Sequence, residues 1–129
     1  ECFINFCHLS YRRSVIHLTL MKANSFLNQN AQTELAKVDA SVSVLCDVHN
    51  TLVNTVLRKY ASPMLMEKYM PRLSTDTLGS FCLSEASSGS DAFAMKTTAT
   101  KSADGSYYTI NGSKMWITNS GEAGIFLVS

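Results

Sequence analysis

The sequence predicts an α+β fold in which a helical segment precedes an incomplete antiparallel β-domain. Two features of the pattern support this prediction. From residue 35 to residue 60, apolar residues recur at helical spacing, which is typical of an amphipathic helix. From residue 78 onward the period changes toward two, and the turn signals Asp104-Gly105 and Asn111-Gly112 separate the apolar runs. We therefore divide the chain into an atypical, poorly ordered leader at 1–33, a helical segment at 34–78 and a partial β-domain at 79–129.

The composition is that of a globular protein without an electrostatic attraction for polyanions. The chain has 129 residues, of which 46% are hydrophobic and 16% are charged, and its formal net charge is +1. This charge gives no basis for binding nucleic acid or an anionic membrane surface. The four cysteines include no C-x-x-C pair and the three histidines are scattered, so we expect no metal site. Cys46 and Cys82 lie in apolar runs and are expected to be buried thiols.

The first 33 residues differ in composition from the rest of the chain. They carry Arg12, Arg13 and Lys22 and only one acid, Glu1, which is typical of an organelle-targeting segment. A poorly structured leader explains the same composition and is the interpretation that we favour. The arginines interrupt the apolar residues of this region, so we expect no transmembrane helix. The chain starts with Glu1 instead of Met and its last residues are an apolar run, so we expect it to be part of a longer protein.

The helical segment contains two predicted helices. The first begins near Thr33, which is a partial N-cap, and carries a wide apolar stripe along residues 35–60. The second begins with Ser62 as N-cap and Pro63 in the first turn, and we expect Pro71 to end it. Further along the chain, strands are expected at 78–84, 92–102, 106–110, 113–118 and 124–129.

The stretch "FCLSEASSGSDAFA", residues 81–94, interrupts a strand pattern with small polar residues. Glu85 and Asp91 flank the interruption, and paired carboxylates occur in acid–base catalysis. The Ser/Gly run offers backbone N–H groups and hydroxyls with little steric cover, which suits the phosphates or ring heteroatoms of a cofactor. An ordinary surface turn has the same composition, and on composition alone it is the favoured interpretation.

The stretch "NGSKMWITNSG", residues 111–121, contains Trp116, the only tryptophan of the sequence. A tryptophan close to the hydroxyl of Thr118 could flank a planar cofactor, with the ring packing on one face and the hydroxyl supplying a hydrogen bond. The alternative, which the sequence favours, is that Trp116 is a core residue of a β-domain. Lys114 is interpreted as a solvated lysine on a strand.

The two stretches together, following a helix-rich segment, resemble the acyl-CoA dehydrogenase family. The resemblance rests on "CLSEASSGSDAFA" and "YYTINGSKMWITN" and extends from about Glu34 to Val128. "LAKVDASVSVLCDVHNTLVNT" and "GSFCLSEA" are similar to the subgroup that acts on short or 2-methyl-branched acyl chains. The family fold implied is an N-terminal helical domain, a middle β-domain and a C-terminal four-helix bundle, with FAD between them.

The resemblance implies a set of site residues. Backbone near Leu83 and the hydroxyl of Ser84 would face the flavin pyrimidine edge, and Thr118 would lie near N5. Ser90 would reach the phosphates of FAD and also the acyl-CoA substrate. No catalytic residue is assigned, because the family's glutamate base lies outside this chain. The cofactor-binding residues implied are Phe81, Cys82, Leu83, Ser84, Glu85, Ala86, Ser87, Ser88, Gly89, Ser90, Trp116, Ile117 and Thr118.

The activity that the resemblance implies is FAD-dependent α,β-dehydrogenation of a short or branched acyl-CoA in the mitochondrial matrix. The implied partners are an electron-transfer flavoprotein and identical subunits in a tetramer. We expect the isolated 129 residues to be inactive. Two other interpretations remain open, namely a non-catalytic truncated chain or gene-model fragment, and an acyl-CoA oxidase. Ser87 stands where relatives often have glycine, so a positive φ there would strain the loop.

Overall fold

The computed structural model describes residues 25–129, with side chains from residue 29 onward. The described residues form two compact units, one of residues 25–81 with 118–127 and one of residues 82–117 with 128–129. Helices come first and a small β region follows, so the predicted α+β class is confirmed. Residues 1–24, which carry most of the expected leader, lie outside the described residues. Within 25–129, no helix is long and apolar enough to cross a membrane.

Helix α1, Ser25–Val38, begins earlier than the sequence predicts. The Asn/Gln-rich residues before Glu34, expected to be a loop or leader, form its first turns. Contacts with the next helix hold it in place, because the Gln32 amide donates to Asp47 at 2.7 Å and the Ser43 hydroxyl donates to the Gln32 carbonyl at 2.9 Å. Tertiary packing therefore overrides the turn preference of the asparagines.

The predicted long helix is interrupted at Asp39. This residue is extended (φ −153°, ψ 113°), and its carboxylate accepts from the N–H groups of Ser41 and Val42, at the start of α2, Ala40–Asp47. The chain continues directly through a π-helix, Val48–Val53, into α3, Asn54–Tyr60.

Helix α4, Pro63–Thr75, starts as predicted and ends later. Ser62 caps it by accepting from the N–H of Leu65, and Pro63 occupies its first turn. The expectation that Pro71 ends the helix is wrong, because Pro71 lies inside it. The extra turn places Leu73 in the core, where it is fully buried, and this burial compensates for the hydrogen bond that a proline removes.

The first unit has two apolar clusters linked by a histidine. Cys46 and Leu78 form one, and the other is built on Val53, Leu57 and Leu73. The fully buried His49 ring contacts the Leu73 carbonyl through Nε2 at 3.0 Å and accepts from the Gly79 N–H through Nδ1 at 3.0 Å. The residues packed against the clusters are Leu35, Val42, Leu45, Ala61, Tyr69, Met70, Phe81, Ile125 and Leu127.

The strands form two sheets of two strands each. Strand β1, Gly79–Cys82, pairs with β4, Ile125–Val128, and β2, Thr98–Lys101, pairs antiparallel with β3, Tyr108–Asn111. The predicted strand at 92–102 is shorter than expected, because Asp91 caps a 3₁₀ turn at Ala92–Ala94. Cys46 and Cys82 are buried thiols, as predicted.

Candidate functional site

The loop that follows β1 is closed by a tight turn. The backbones of Glu85 and Ser88 pair in both directions, at 2.9 and 3.1 Å, so that only Ala86 and Ser87 form the tip. The Ser88 hydroxyl is buried and donates to the Asp91 carbonyl at 2.7 Å. A Cβ on Gly89 would meet nothing within 4 Å, which leaves the backbone there open to an approaching molecule.

The Glu85 side chain points inward, and its carboxylate accepts four hydrogen bonds. The N–H of Lys96 lies 2.7 Å from Oε2, and the N–H and hydroxyl of Thr97 lie 3.0 and 2.5 Å from Oε1. The Lys114 ammonium adds an ion pair at 2.9 Å. These bonds, with that of the Thr97 hydroxyl strongest, lower the pKa of Glu85 to about 2. The carboxylate is therefore ionised and fully engaged.

Lys114 is not the solvated strand lysine that its sequence position indicated. Its side chain is 11% exposed, and its ammonium donates to the Leu83 carbonyl at 3.0 Å as well as to Glu85. The N–H of the following residue, Met115, donates to the Ser84 carbonyl at 2.9 Å. The two stretches singled out in the sequence are therefore hydrogen-bonded side by side.

Trp116 is exposed and its backbone is strained. Its φ is +56° and 87% of its surface is accessible, so the expectation of a core tryptophan is wrong. A bulky side chain rarely adopts a left-handed conformation outside functional sites. The exposed indole and the open loop together present an apolar face and backbone hydrogen-bonding groups, which a planar heterocyclic ligand requires.

The other expected site residues differ in their surroundings. Phe81 packs against the Val53 cluster of the first unit, and the Thr118 carbonyl in the same unit accepts from the Ser80 hydroxyl at 2.6 Å. Ser87 does not have a positive φ, so the strain expected there is absent. Of the remaining residues, the half-buried ones are Leu83, Ser84 and Ile117, the buried ones Cys82, Glu85 and Ser88, and the exposed ones Ala86, Ser87, Gly89 and Ser90.

Sequence reasoning missed two contributors to the site, Thr97 and Gly112. A Cβ at Gly112 would lie 2.8 Å from the Thr97 Cα, so only glycine allows the segment before Lys114 to approach this closely. The Asn111-Gly112 pair was interpreted only as a turn signal, and this close approach cannot be read from it. Among the described residues, no group of three or more His, Cys, Asp or Glu side chains could hold a metal ion.

Two sequence models of one protein family match most of the chain. The acyl-CoA dehydrogenase N-terminal domain matches residues 23–77 and the acyl-CoA dehydrogenase middle domain matches residues 80–129. The chain therefore belongs to the acyl-CoA dehydrogenase family. The family assignment made from the two sequence stretches is confirmed, and the boundary between the matched domains falls at the start of β1.

Individual relatives agree with this assignment. The chain is 59% identical over 95 residues to the mitochondrial short/branched chain specific acyl-CoA dehydrogenase of Rattus norvegicus, an alignment that covers 74% of this chain and 22% of the relative. Butyryl-CoA dehydrogenase from Megasphaera elsdenii is similar in structure, with a TM-score of 0.73, 39% identity and coverage of 76% and 26%. A glutaryl-CoA dehydrogenase from Mycobacterium smegmatis in complex with FADH2 has a TM-score of 0.70, 32% identity and coverage of 76% and 25%. The chain spans roughly a quarter of these relatives.

Proposed function

We propose that this chain is part of a FAD-dependent acyl-CoA dehydrogenase that oxidises short or branched acyl-CoA. The observation that carries the proposal is the exposure of Trp116 in a left-handed conformation next to a segment bonded to the Ser84 loop. The high identity to a short/branched chain specific relative supports the substrate class. The FADH2 complex of a similar structure supports the cofactor.

The residues present fit a flavin. The Trp116 indole offers a flat apolar surface for ring packing, and the loop at 86–90 places mostly small side chains and an uncovered glycine backbone at the surface. When bound, FAD would supply the redox chemistry as the hydride acceptor, which the side chains of this chain cannot provide. The chain's own residues bind and orient it, and we assign the hydrogen-bonding edge to the Ser84 region and the phosphates to Ser90.

The base that removes the α-proton is proposed to lie outside this chain. Glu85 cannot take that role, because its carboxylate is buried, accepts four hydrogen bonds and has its pKa lowered to about 2. Asp91 is engaged at its own turn, where its Oδ1 accepts from the Phe93 N–H at 3.1 Å. The described carboxylates of the loop therefore stabilise its structure.

The partners and compartment follow from the same proposal. We assign an electron-transfer flavoprotein as the acceptor of electrons and a homotetramer as the assembly. The mitochondrial matrix is the proposed location, and the similarity to a mitochondrial enzyme of the rat supports it. The isolated 129 residues are expected to lack turnover.

A dye-coupled assay with 2-methylbutanoyl-CoA tests the proposal on the native protein. We expect turnover that requires the artificial acceptor and produces no hydrogen peroxide. Turnover that instead consumes dioxygen and releases hydrogen peroxide would identify an acyl-CoA oxidase. Absence of turnover with every acyl-CoA tested, in a protein that retains its fold, would favour a non-catalytic chain.

A further inference from the structure

Glu85 and Lys114 form an ion pair that is almost withdrawn from solvent. Their charged atoms lie 2.9 Å apart, and the side chains are only 5% and 11% exposed. A buried ion pair contributes little net stability, because removing two charges from water offsets their attraction. The presence of the pair is better explained by the geometry that it fixes. We call this pair the Glu85–Lys114 clasp.

The clasp joins three separate parts of the second unit. Glu85 accepts from the backbone of Lys96 and from both donors of Thr97, just before β2. Lys114 donates to the Leu83 carbonyl at 3.0 Å and contacts the Met95 sulfur at 3.5 Å. Each ionic group therefore has polar partners besides its counterion, so that the pair has one defined arrangement.

The clasp lies next to both exposed parts of the candidate site. Lys114 precedes Trp116 by two residues, and the Met115 N–H between them is bonded to the Ser84 carbonyl at 2.9 Å. Glu85 begins the tight turn that carries Ala86 and Ser87. A strained backbone conformation such as that of Trp116 persists only where the surrounding structure holds it in place. The hydrogen bonds of Lys114 and Met115, the two preceding residues, hold the backbone there.

We propose that the Glu85–Lys114 clasp is a positioning device that holds Trp116 and the loop at 86–90 in the arrangement that binds the cofactor. This inference rests on the proposed function for the identity of the ligand. Neither clasp residue touches the ligand, because the carboxylate and the ammonium are directed at each other and at protein groups. Glu85 is thereby reassigned from a direct cofactor contact to a positioning residue.

The test uses Glu85→Gln, Lys114→Met and the double variant in the complete protein. Lys96→Met is the matched control, because its side chain is exposed and its contact with Glu85 is made by a backbone N–H that the substitution retains. Each variant is also made with Trp116→Phe, so that subtracting the two emission spectra isolates the fluorescence of Trp116.

The first readout is made without cofactor. We expect both single variants to lower the accessibility of Trp116 to a soluble quencher, because the released indole folds onto the protein surface, whereas Lys96→Met leaves it unchanged. Unchanged quenching in folded clasp variants would overturn the inference. This result does not depend on whether the protein binds FAD.

The second readout is the dissociation constant for FAD. We expect each single variant to weaken binding by about tenfold or more, with Lys96→Met within about twofold of the wild type. The double variant leaves no unpaired buried charge, so its thermal stability recovers while its FAD affinity stays weak. Recovery of affinity together with stability would show that the clasp acts through stability alone, and would overturn the inference. A wild type that binds no FAD would overturn the proposed function instead.

Discussion

The His49 ring bonds the Leu73 carbonyl and the Gly79 N–H, each at 3.0 Å, across 24 and 30 residues of chain. Nδ1 accepts from an N–H and must be unprotonated, so the neutral ring carries its proton on Nε2 and donates it to Leu73. One side chain thus satisfies two backbone groups, at the end of α4 and at the start of β1. The ring is the polar link between the helical region and the strand that leads to the candidate site.

His49→Ala should lower the free energy of unfolding by about 3 kcal/mol, because it leaves a cavity and two unpaired buried backbone groups. His49→Gln should lower the free energy of unfolding by less, since the glutamine amide can both donate and accept a hydrogen bond. Chemical denaturation of both variants measures the difference. Equal losses for alanine and glutamine would show that volume, and not hydrogen bonding, is what His49 supplies.

Stability should fall as the pH drops below about 6.5, and His49 should cause part of this fall. Burial lowers the pKa of His49 from its ordinary value of 6.5, an effect that the Leu73 carbonyl partly opposes. The native state therefore binds this proton less readily than the unfolded chain does. Neutral His49 makes its full contribution to the free energy of unfolding above pH 6.5. That contribution is lost as the pH falls through the lowered pKa that His49 has in the native state. Unfolding curves of wild type and His49→Gln should converge in that range, and parallel curves would contradict the assignment.

A second acid transition should come from Glu85. Its pKa is lowered from 4.5 to about 2, so its unfolded form takes up a proton first as the pH falls. Its contribution is present above pH 4.5 and is lost between that value and pH 2. The stability difference between wild type and Glu85→Gln should therefore be constant above this window and shrink within it. A difference that does not change with pH would mean that Glu85 is not ionised in the native protein.

Gly79→Ala should destabilise the first unit by about 1–3 kcal/mol, because its new methyl would overlap Val53. A Cβ at Gly79 would lie 3.1 Å from the Val53 Cβ, and closer still to a methyl group of that residue. Gly121→Ala is the matched control, since a Cβ there meets nothing within 4 Å. Gly79→Ala should therefore have a lower midpoint of thermal unfolding than Gly121→Ala. Similar midpoints would argue against the close approach of β1 to the π-helix.

Trp116→Gly should weaken FAD binding without lowering the free energy of unfolding. Glycine accepts a φ of +56° without strain, so the free energy of unfolding should stay the same or rise by up to about 1 kcal/mol. FAD binding should weaken by about tenfold or more, because the substitution removes the ring that we propose packs on the cofactor. Calorimetric titration and denaturation together give both values. Strong destabilisation would identify Trp116 as a core residue.

Local chemistry allowed some of these features to be predicted from the sequence. Ser62 and Pro63 defined the start of α4 because capping depends only on neighbouring residues. The break at Asp39 was missed, although an aspartate followed by Ala-Ser is a recognisable N-cap signal. The end of α4 was mispredicted because burial of Leu73 outweighs the effect of Pro71, and burial depends on the whole fold.

The candidate site was predicted from the resemblance to a family, because composition alone favoured a surface turn and a core tryptophan. The loop at 81–90 and Trp116 were singled out from small residues and a lone aromatic, and the structure brings their segments together through Ser84 and Met115. The role of Lys114 could not be inferred, because its counterion lies 29 residues away and neither residue is unusual in isolation. The backbone strain of a positive φ was expected at Ser87 and occurs instead at Trp116. The sequence around Trp116 gives no signal of a left-handed conformation.

The measurement that tests the central claim most directly is the visible absorption spectrum of the native protein, recorded before and after anaerobic addition of 2-methylbutanoyl-CoA. We predict the spectrum of a bound oxidised flavin, which bleaches when the substrate is added. A folded protein that carries no flavin and acquires none on incubation with FAD would contradict it.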